Sequence, residues 1–405
     1  MTTTPNRTRR QFFSGFLLHL HPRRVPEETI RFTLSFGLGG MSAALIFLLF
    51  LTGIFQALAY IPDVKEAYTS VQGMYEPGTF SGWVRNIHYW SGNLLVIVAF
   101  LHCCRVFLTG AISGGRRRNW FIGLILLNLV FFANFSGYLL PWDQLAFWAV
   151  TIFTNMIGYI PFIGEGVVQL LRGGSEIGPS TLTNFYSIHT GILPFCLIII
   201  VIYHFWLIRK AGGLVQKENL KSTHSASVPV MPNLIVREIA VGLTLVAAVM
   251  LFAALVDAPL DEAANPGMSP NPAKAAWFFL GLQELLMHLH PTFAICVLPL
   301  FVLFCLVFLP YWRNGLLPEG QWFGGKRGMK LAFWTCLGSI ALTFATVIID
   351  ERIKTASESV ATDGVARGVL PIVGLVLLYC TGHLVFTRKF KFTQAEAVMA
   401  GFVFS

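Results

Sequence analysis

Eight stretches of this 405-residue chain are long and apolar enough to cross a lipid bilayer, and that leaves it few ways to fold. Hydrocarbon offers no water to backbone N–H and C=O groups, so a crossing segment must satisfy them as a helix or a closed barrel. Apolar runs of about 20 residues match a helix spanning a core of about 30 Å. They fall at about 33–60, 84–108, 119–140, 184–208, 234–257, 291–312, 329–349 and 366–386. The expected fold class is all-α: a polytopic membrane protein of about eight transmembrane helices. Phe147–Ile157 and Val167–Leu171, between the third and fourth runs, are too short to cross and are expected to lie at the surface as amphipathic helices.

The basic residues alternate between the loops. Arg7, Arg9, Arg10, Arg23, Arg24 and Arg31 precede the first run, Arg116–Arg118 follow the second, and Arg209, Lys210, Lys217 and Lys221 follow the fourth. Lys326, Arg327 and Lys330 precede the seventh run, and Arg388, Lys389 and Lys391 follow the eighth. Acidic residues such as Asp63, Glu76, Asp143, Glu176, Asp257 and Asp261 hold the other loops. The positive-inside rule then places both termini in the cytoplasm. The net charge of +9 is accounted for by this orientation, with no nucleic-acid partner expected. No secretory cleavage site follows the basic N-terminus, and Gln11–His19 reads as an interfacial helix. None of the 7 cysteines lies in a C-x-x-C-H motif, so covalently attached haem is not expected.

Two pairs of histidines sit inside the second and fourth runs. His88 and His102 are 14 positions apart, and His189 and His204 are 15 apart. At 100° per residue, 14 steps bring the second side chain within about 40° of the first and 15 steps within about 60°. Each helix therefore carries two imidazoles on one face, about 21–22 Å apart along its axis. Four polar side chains at matched spacing inside a membrane point to function, because burial there is costly. Imidazole nitrogens suit iron, and the pattern fits two b-type haems, each with two axial imidazoles and no open position for oxygen. The alternating topology pairs His88 with His189 at the outer level and His102 with His204 at the inner level. Gly39 and Gly53 in the first run, and Gly123 and Gly137 in the third, repeat the 14-residue spacing. They are expected to let backbone approach a haem edge in a four-helix bundle made by the first four spans. Arg85, one turn before His88, is placed to pair with a haem propionate.

The segments Arg85-Asn86-Ile87-His88…His102, Gly137-Tyr138-Leu139-Leu140-Pro141-Trp142-Asp143-Gln144 and Ser180-Thr181-Leu182-Thr183-Asn184-Phe185-Tyr186-Ser187-Ile188-His189-Thr190 resemble the cytochrome b family of quinol:cytochrome c oxidoreductases. The 15-step pair and the Pro-Trp-Asp-Gln motif are more similar to the chloroplast-type branch. The resemblance is strong from about 30 to 215. From about 230 to 312 it is weaker and similar to the separate small subunit of that branch, here in the same chain. It implies a di-haem domain over 1–215 and a C-terminal domain over 216–405 that completes a quinol site. It further implies a homodimer, two haems, membrane quinol and quinone as substrates, and an iron–sulfur partner of Rieske type or a c-type cytochrome.

Three positions depart from that family. Gly37 stands where the chloroplast-type proteins anchor an extra haem on cysteine, so a third haem is not expected. Asn184 replaces a usual arginine. Ala275-Ala276-Trp277-Phe278 aligns with the family's Pro-Glu-Trp-Tyr motif, which removes both the carboxylate and the hydroxyl that would face quinol. A general base must reach the proton it takes, and alanine cannot. Glu284 is the best replacement on sequence grounds, with His288 and His290 behind it.

The leading expectation is a di-haem subunit of a respiratory quinol-oxidising complex in a bacterial plasma membrane. Quinol would react near Pro141, Trp142, Trp277 and Phe278, and quinone would bind near Arg209, Lys210 and the N-terminal helix. The alternative is an electron conduit without bifurcation between the membrane quinone pool and an extracytoplasmic partner; a Rieske-type partner implies bifurcation, and a multihaem c-type chain leaves both readings open. A transporter would call for carboxylates or broken helices at mid-membrane, and the runs hold few of either.

Overall fold

The computed structural model describes residues 23–75, 78–217, 226–270, 275–312, 315–356 and 364–404. The interfacial helix expected at Gln11–His19 lies outside them. A short strand, β1 (Arg24–Pro26), leads into α1 (Leu38–Ala57), the first membrane-length helix. Two more follow, α2 (Phe80–Leu108) and α3 (Arg117–Leu139). Thr79 caps α2 by accepting from Gly82 N at 3.1 Å.

Two shorter helices, α4 (Gln144–Gly158) and α5 (Gly164–Arg172), occupy the segment expected to lie at the surface. On α4, Ala146, Val150 and Thr154 are fully buried. They recur every fourth residue, so one stripe packs down while the opposite side stays open. Arg172 at the end of α5 donates from Nε and Nη2 to Thr154 Oγ1 at 2.9 and 2.7 Å, fastening the two helices together.

Next come α6 (Pro179–Lys210), β2 (Ser227–Pro229) and α7 (Ile235–Leu255). They are followed by α8 (Leu280–His288), α9 (Phe293–Tyr311), α10 (Lys326–Ala356), α11 (Gly364–Leu384) and α12 (Gln394–Phe404). Among the described residues 7 helices are long and apolar enough to cross a membrane: α1, α2, α3, α6, α7, α9 and α10. The eighth expected run coincides with α11. The molecule is an all-α polytopic membrane protein. The one sheet among the described residues is the antiparallel β1–β2 pair.

The central core is made by the first four spans and α7 together. Leu45 of α1, Ile87, Leu95 and Val98 of α2, Val130 of α3, Leu197 of α6 and Val249 and Ala253 of α7 form one buried cluster. Side chains of α2 also tie down the end of α7. Trp83 Nε1 donates to Met250 O at 3.0 Å, Asn86 Nδ2 to Ala253 O at 3.1 Å, and Trp90 Nε1 to Val256 O at 2.9 Å. The last carbonyls of a helix have no partner within it, and here α2 supplies donors to that of Ala253 and to Val256 just past the end. Large apolar side chains on the outward faces, such as Phe47, Ile54, Phe195 and Leu243, are exposed, as suits a surface solvated by lipid.

Candidate functional site

The four histidines meet in two pairs inside the bundle of α1, α2, α3 and α6. His88 and His189 lie with ring centroids 6.2 Å apart and planes at 75°, and His102 and His204 at 6.5 Å and 78°. A metal–imidazole bond of about 2.0–2.1 Å, with about 1.1 Å more from nitrogen to ring centre, puts two opposed imidazoles on one metal about 6.3 Å apart. Both pairs stand at that separation. Among the described residues no group of three or more His, Cys, Asp and Glu is gathered. Each pair is spaced to offer two imidazole ligands to a single metal ion.

The outer pair also fixes which ring nitrogen is available. Thr52 Oγ1 lies 2.9 Å from His88 Nδ1 while donating its own proton to Leu48 O at 2.8 Å. Ser136 Oγ lies 3.0 Å from His189 Nδ1 and donates to Ala133 O at 3.1 Å. With its proton committed to a carbonyl, each hydroxyl must accept from the ring. Nδ1 carries the hydrogen and the Nε2 lone pair is left to bind a metal, the usual second-layer arrangement of ligating histidines. At the inner pair, His204 Nδ1 is buried without a partner.

Each of the four glycines faces one histidine. A Cβ at Gly53 would meet His88 Cε1 at 3.3 Å, at Gly39 His102 Cε1 at 3.2 Å, at Gly137 His189 Cε1 at 2.7 Å, and at Gly123 His204 Cε1 at 3.8 Å. The sequence suggested room for a porphyrin edge. In the structure the missing side chains make room for the imidazoles themselves, so α1 holds the rings of α2 and α3 those of α6.

The unequal spacings of 14 and 15 have a local cause. Ile188–Ile192, which includes His189, is a turn of π-helix, closed by Leu193 N–H to Ile188 O. A single π turn absorbs one extra residue, so the 15-residue interval presents its histidines much as the 14-residue one does. Pro194 follows at the start of the next α-helical stretch. Its ring displaces the carbonyl four residues earlier, that of Thr190, inside the π turn.

The arginine placed by sequence near a propionate is buried and reaches elsewhere. Arg85 donates to Ala258 O at 2.8 Å and Pro259 O at 2.7 Å, with its guanidinium over the Tyr75 ring at 5.4 Å. These bonds hold α2 to the loop after α7. Arg105, which sequence reasoning passed over, is 5% exposed, donates from Nε to Leu34 O at 2.8 Å, and leaves Nη2 buried with no partner. It follows His102 by one turn, as Arg85 precedes His88 by one turn. That mirrored spacing is the signal that would have found it.

At the outer end, Trp142 is buried in the left-handed region at φ 52°. Asp143 caps α4 by accepting from Ala146 N at 2.8 Å and receives Asp261 N at 3.1 Å. Burial raises its carboxyl above the usual aspartate range, against the pull of those two N–H groups. Gln144 Oε1 accepts from Asn265 N at 2.6 Å. The turn that carries Pro141 and Trp142 is thus bonded to the loop between α7 and α8. Phe278 and Phe279 pack against the cluster of Trp142, Phe147, Leu182 and Phe135. The structure therefore joins Trp142 and Phe278. Trp277 turns away, donating from Nε1 to Asn93 Oδ1 at 2.5 Å.

The remaining expected residues are scattered. Glu284 is exposed on α8, and His290 accepts at Nδ1 from Thr292 N at 3.3 Å and sits edge-on to Tyr159. The side chain of His288 lies outside the described residues. Asn184 donates to the carbonyls of Leu170 and Leu171 at 3.1 and 3.3 Å, pinning the end of α5. Gly37 adopts φ +65° beside Val241, where a Cβ would meet Cγ1 at 3.1 Å. Arg209 is exposed at the end of α6, and Lys210 Nζ sits 4.3 Å over the Trp206 ring.

The family described as Cytochrome b/b6/petB matches residues 26–212. The chain is 40% identical over 175 residues to "Cytochrome b6" of Picosynechococcus sp., covering 43% of this chain and 79% of that protein. It is 39% identical over 175 residues to "Cytochrome b6" of Acaryochloris marina, covering 43% of this chain and 81% of that one. Among solved structures, a chain of "Hyperthermophilic respiratory Complex III" superposes with a TM-score of 0.69 at 22% identity, over 83% of this chain and 89% of that chain.

Proposed function

Because this chain belongs to the cytochrome b/b6 family of bc complexes, we propose that it is their di-haem subunit. It holds one b-type haem between His88 and His189 and a second between His102 and His204. It moves electrons between membrane quinol or quinone and an extracytoplasmic redox partner, of Rieske iron–sulfur or c-type cytochrome kind. The observation that carries this reading is the pair of imidazole separations, 6.2 and 6.5 Å, each the width of one bis-imidazole metal. The setting is the plasma membrane of a respiring bacterium, with both termini in the cytoplasm. Residues 1–215 form the haem-binding part and 216–405 complete the outer quinol site in a homodimer.

When bound, the haems supply reversible one-electron chemistry; the protein supplies position, insulation and tuning. Thr52 and Ser136 hold the Nδ1 protons of the outer ligands, keeping each ring in one tautomer and orientation. Gly39, Gly53, Gly123 and Gly137 let the rings seat against neighbouring backbone. The free Nη2 of Arg105 is the donor suited to an anionic group at the inner level, where a charge-assisted hydrogen bond in low dielectric is strong. The apolar cluster of Trp142, Phe278 and Phe279 keeps water from the outer end, where the quinol ring would react.

A second reading rests on the chemistry missing from that outer end. Ala276 offers no carboxylate, Phe278 no hydroxyl, and Glu284 is exposed on α8. The haem core then serves as a one-route conduit without bifurcated quinol oxidation. An oxidant pulse to the quinol-reduced complex, with inner-site turnover blocked, separates the two. Transient reduction of b haems on adding oxidant is the result expected of bifurcation. A purely oxidative response leaves the conduit.

A further inference from the structure

At the end of the bundle that carries His102 and His204, the starts and ends of three membrane helices enclose a cavity of about 430 Å³. Arg117 and Arg118 from the start of α3, Lys210 from the end of α6, and the aromatic rings of Tyr203, Trp206 and Tyr311 line it, with no carboxylate among the described residues that do. The three consecutive arginines of the α2–α3 loop divide their labour. Arg116 is spent on backbone, donating to Gly213 O at 2.8 Å and Ala211 O at 3.1 Å. Arg117 and Arg118 turn to the cavity. Arg117 stacks on the Tyr311 ring at 5.3 Å, and its Nε is buried with no hydrogen-bond partner. Lys210 rests over Trp206, which stacks on Tyr203 with centroids 5.6 Å apart.

Three cations facing one space form a receptor for an anion; the start of α3 adds positive potential and the ends of α6 and α9 subtract from it, so the side-chain charges carry the site. The surroundings select its source. Aromatic side chains mark the membrane–water boundary. From there exposed Phe121 lies about one turn deeper than Arg118 on α3, and exposed Ile202 and Ile199 about two and three turns deeper than Lys210 on α6. A free phosphate has no use for that track, whereas the acyl chains of a lipid do. We propose that this cavity binds the phosphodiester headgroup of an anionic phospholipid, with Arg117, Arg118 and Lys210 on the phosphate oxygens and the chains along α3 and α6. Basic pockets between membrane helices on the positively charged side bind such headgroups as a general rule. The inference needs the membrane topology and is independent of the haem assignment.

The test is native mass spectrometry of the full chain, purified with its cofactors and any co-purifying subunits and stripped of lipid. It is titrated with dioleoyl-phosphatidylglycerol, dioleoyl-phosphatidylcholine or inorganic phosphate. One phosphatidylglycerol adduct is expected to form at least about tenfold more tightly than any phosphatidylcholine adduct. R118Q and K210Q should each weaken it about fivefold, K210R should not, and R117Q/R118Q/K210Q should abolish the preference. Because Arg118 is exposed, R118Q should leave the unfolding temperature unchanged and so report binding alone. Equal binding of the two lipids, or an unaltered preference in the triple variant, overturns the proposal. Displacement of the lipid by inorganic phosphate at equal concentration overturns it in favour of a site for a free anion.

Discussion

A β-carbon on Gly137 would stand 2.7 Å from Cε1 of His189, closer than side chains pack in real proteins. The contact couples a helix with no ligand of its own to the ligand of its neighbour. Gly137→Ala should therefore push His189 off its axis, with overpacking of about 1–3 kcal/mol and loss of the outer low-spin b-type band. Gly123→Ala is the control: its Cβ would meet His204 at an ordinary 3.8 Å. That variant should keep both bands and be neutral in thermal unfolding. Equal damage from the two substitutions would contradict the packing argument.

The hydroxyls of Thr52 and Ser136 accept from the outer histidines only. Thr52→Val and Ser136→Ala should each free a ring from its tautomer lock and weaken outer haem retention by about tenfold or more. The inner haem, where His204 Nδ1 has no partner, should be unaffected. Redox titration followed at the two α-bands measures both in one experiment; a shift confined to the inner band is the wrong outcome.

Arg105 puts a buried cation one turn from His102. Removing it as Arg105→Gln disfavours the reduced state of the nearby centre, whose added electron the guanidinium attracts. The inner haem potential should fall on the order of 50 mV, close to a tenfold change in a one-electron equilibrium. Arg85→Gln should instead loosen the loop after α7, because its donors hold Ala258 and Pro259. The two are told apart by potentiometry and by proteolysis of that loop.

Asp143 couples the outer end to pH. Burial raises its folded pKa above the unfolded value of about 3.9. In that window the native state holds more protons than the unfolded chain, so stability is full below it and is lost as pH rises through it. Measured as the difference between wild type and Asp143→Asn, thermal stability should decline as pH rises above about 4. A difference between wild type and variant that rises over the same window would reverse the assignment.

Much of this was legible before any coordinates. The spacing of His88 from His102, and of the glycine pairs, is a direct geometric consequence of a helix, and apolar runs in a bilayer admit little else. The rest depended on contacts that a linear pattern does not encode. The π turn at Ile188–Ile192 follows from Pro194 acting on Thr190, visible once the helix is known to continue through His189. Arg85 read as an anion partner because its neighbour is a histidine; the carbonyls of Ala258 and Pro259, over 170 residues away, were not visible to that reasoning. Glu284 stood in for the carboxylate missing at Ala276 because it is a nearby acid in the sequence, and nearness in sequence says nothing of which way the carboxylate faces.

The central claim is that α2 and α6 grip one iron porphyrin at each of two levels, and substitution of His204 by Leu tests it most directly. Haem content and low-temperature optical spectra of the purified variant should show one haem per chain lost or converted from its low-spin form, with the His88–His189 band intact. Retention of both haems in low-spin form would contradict the account.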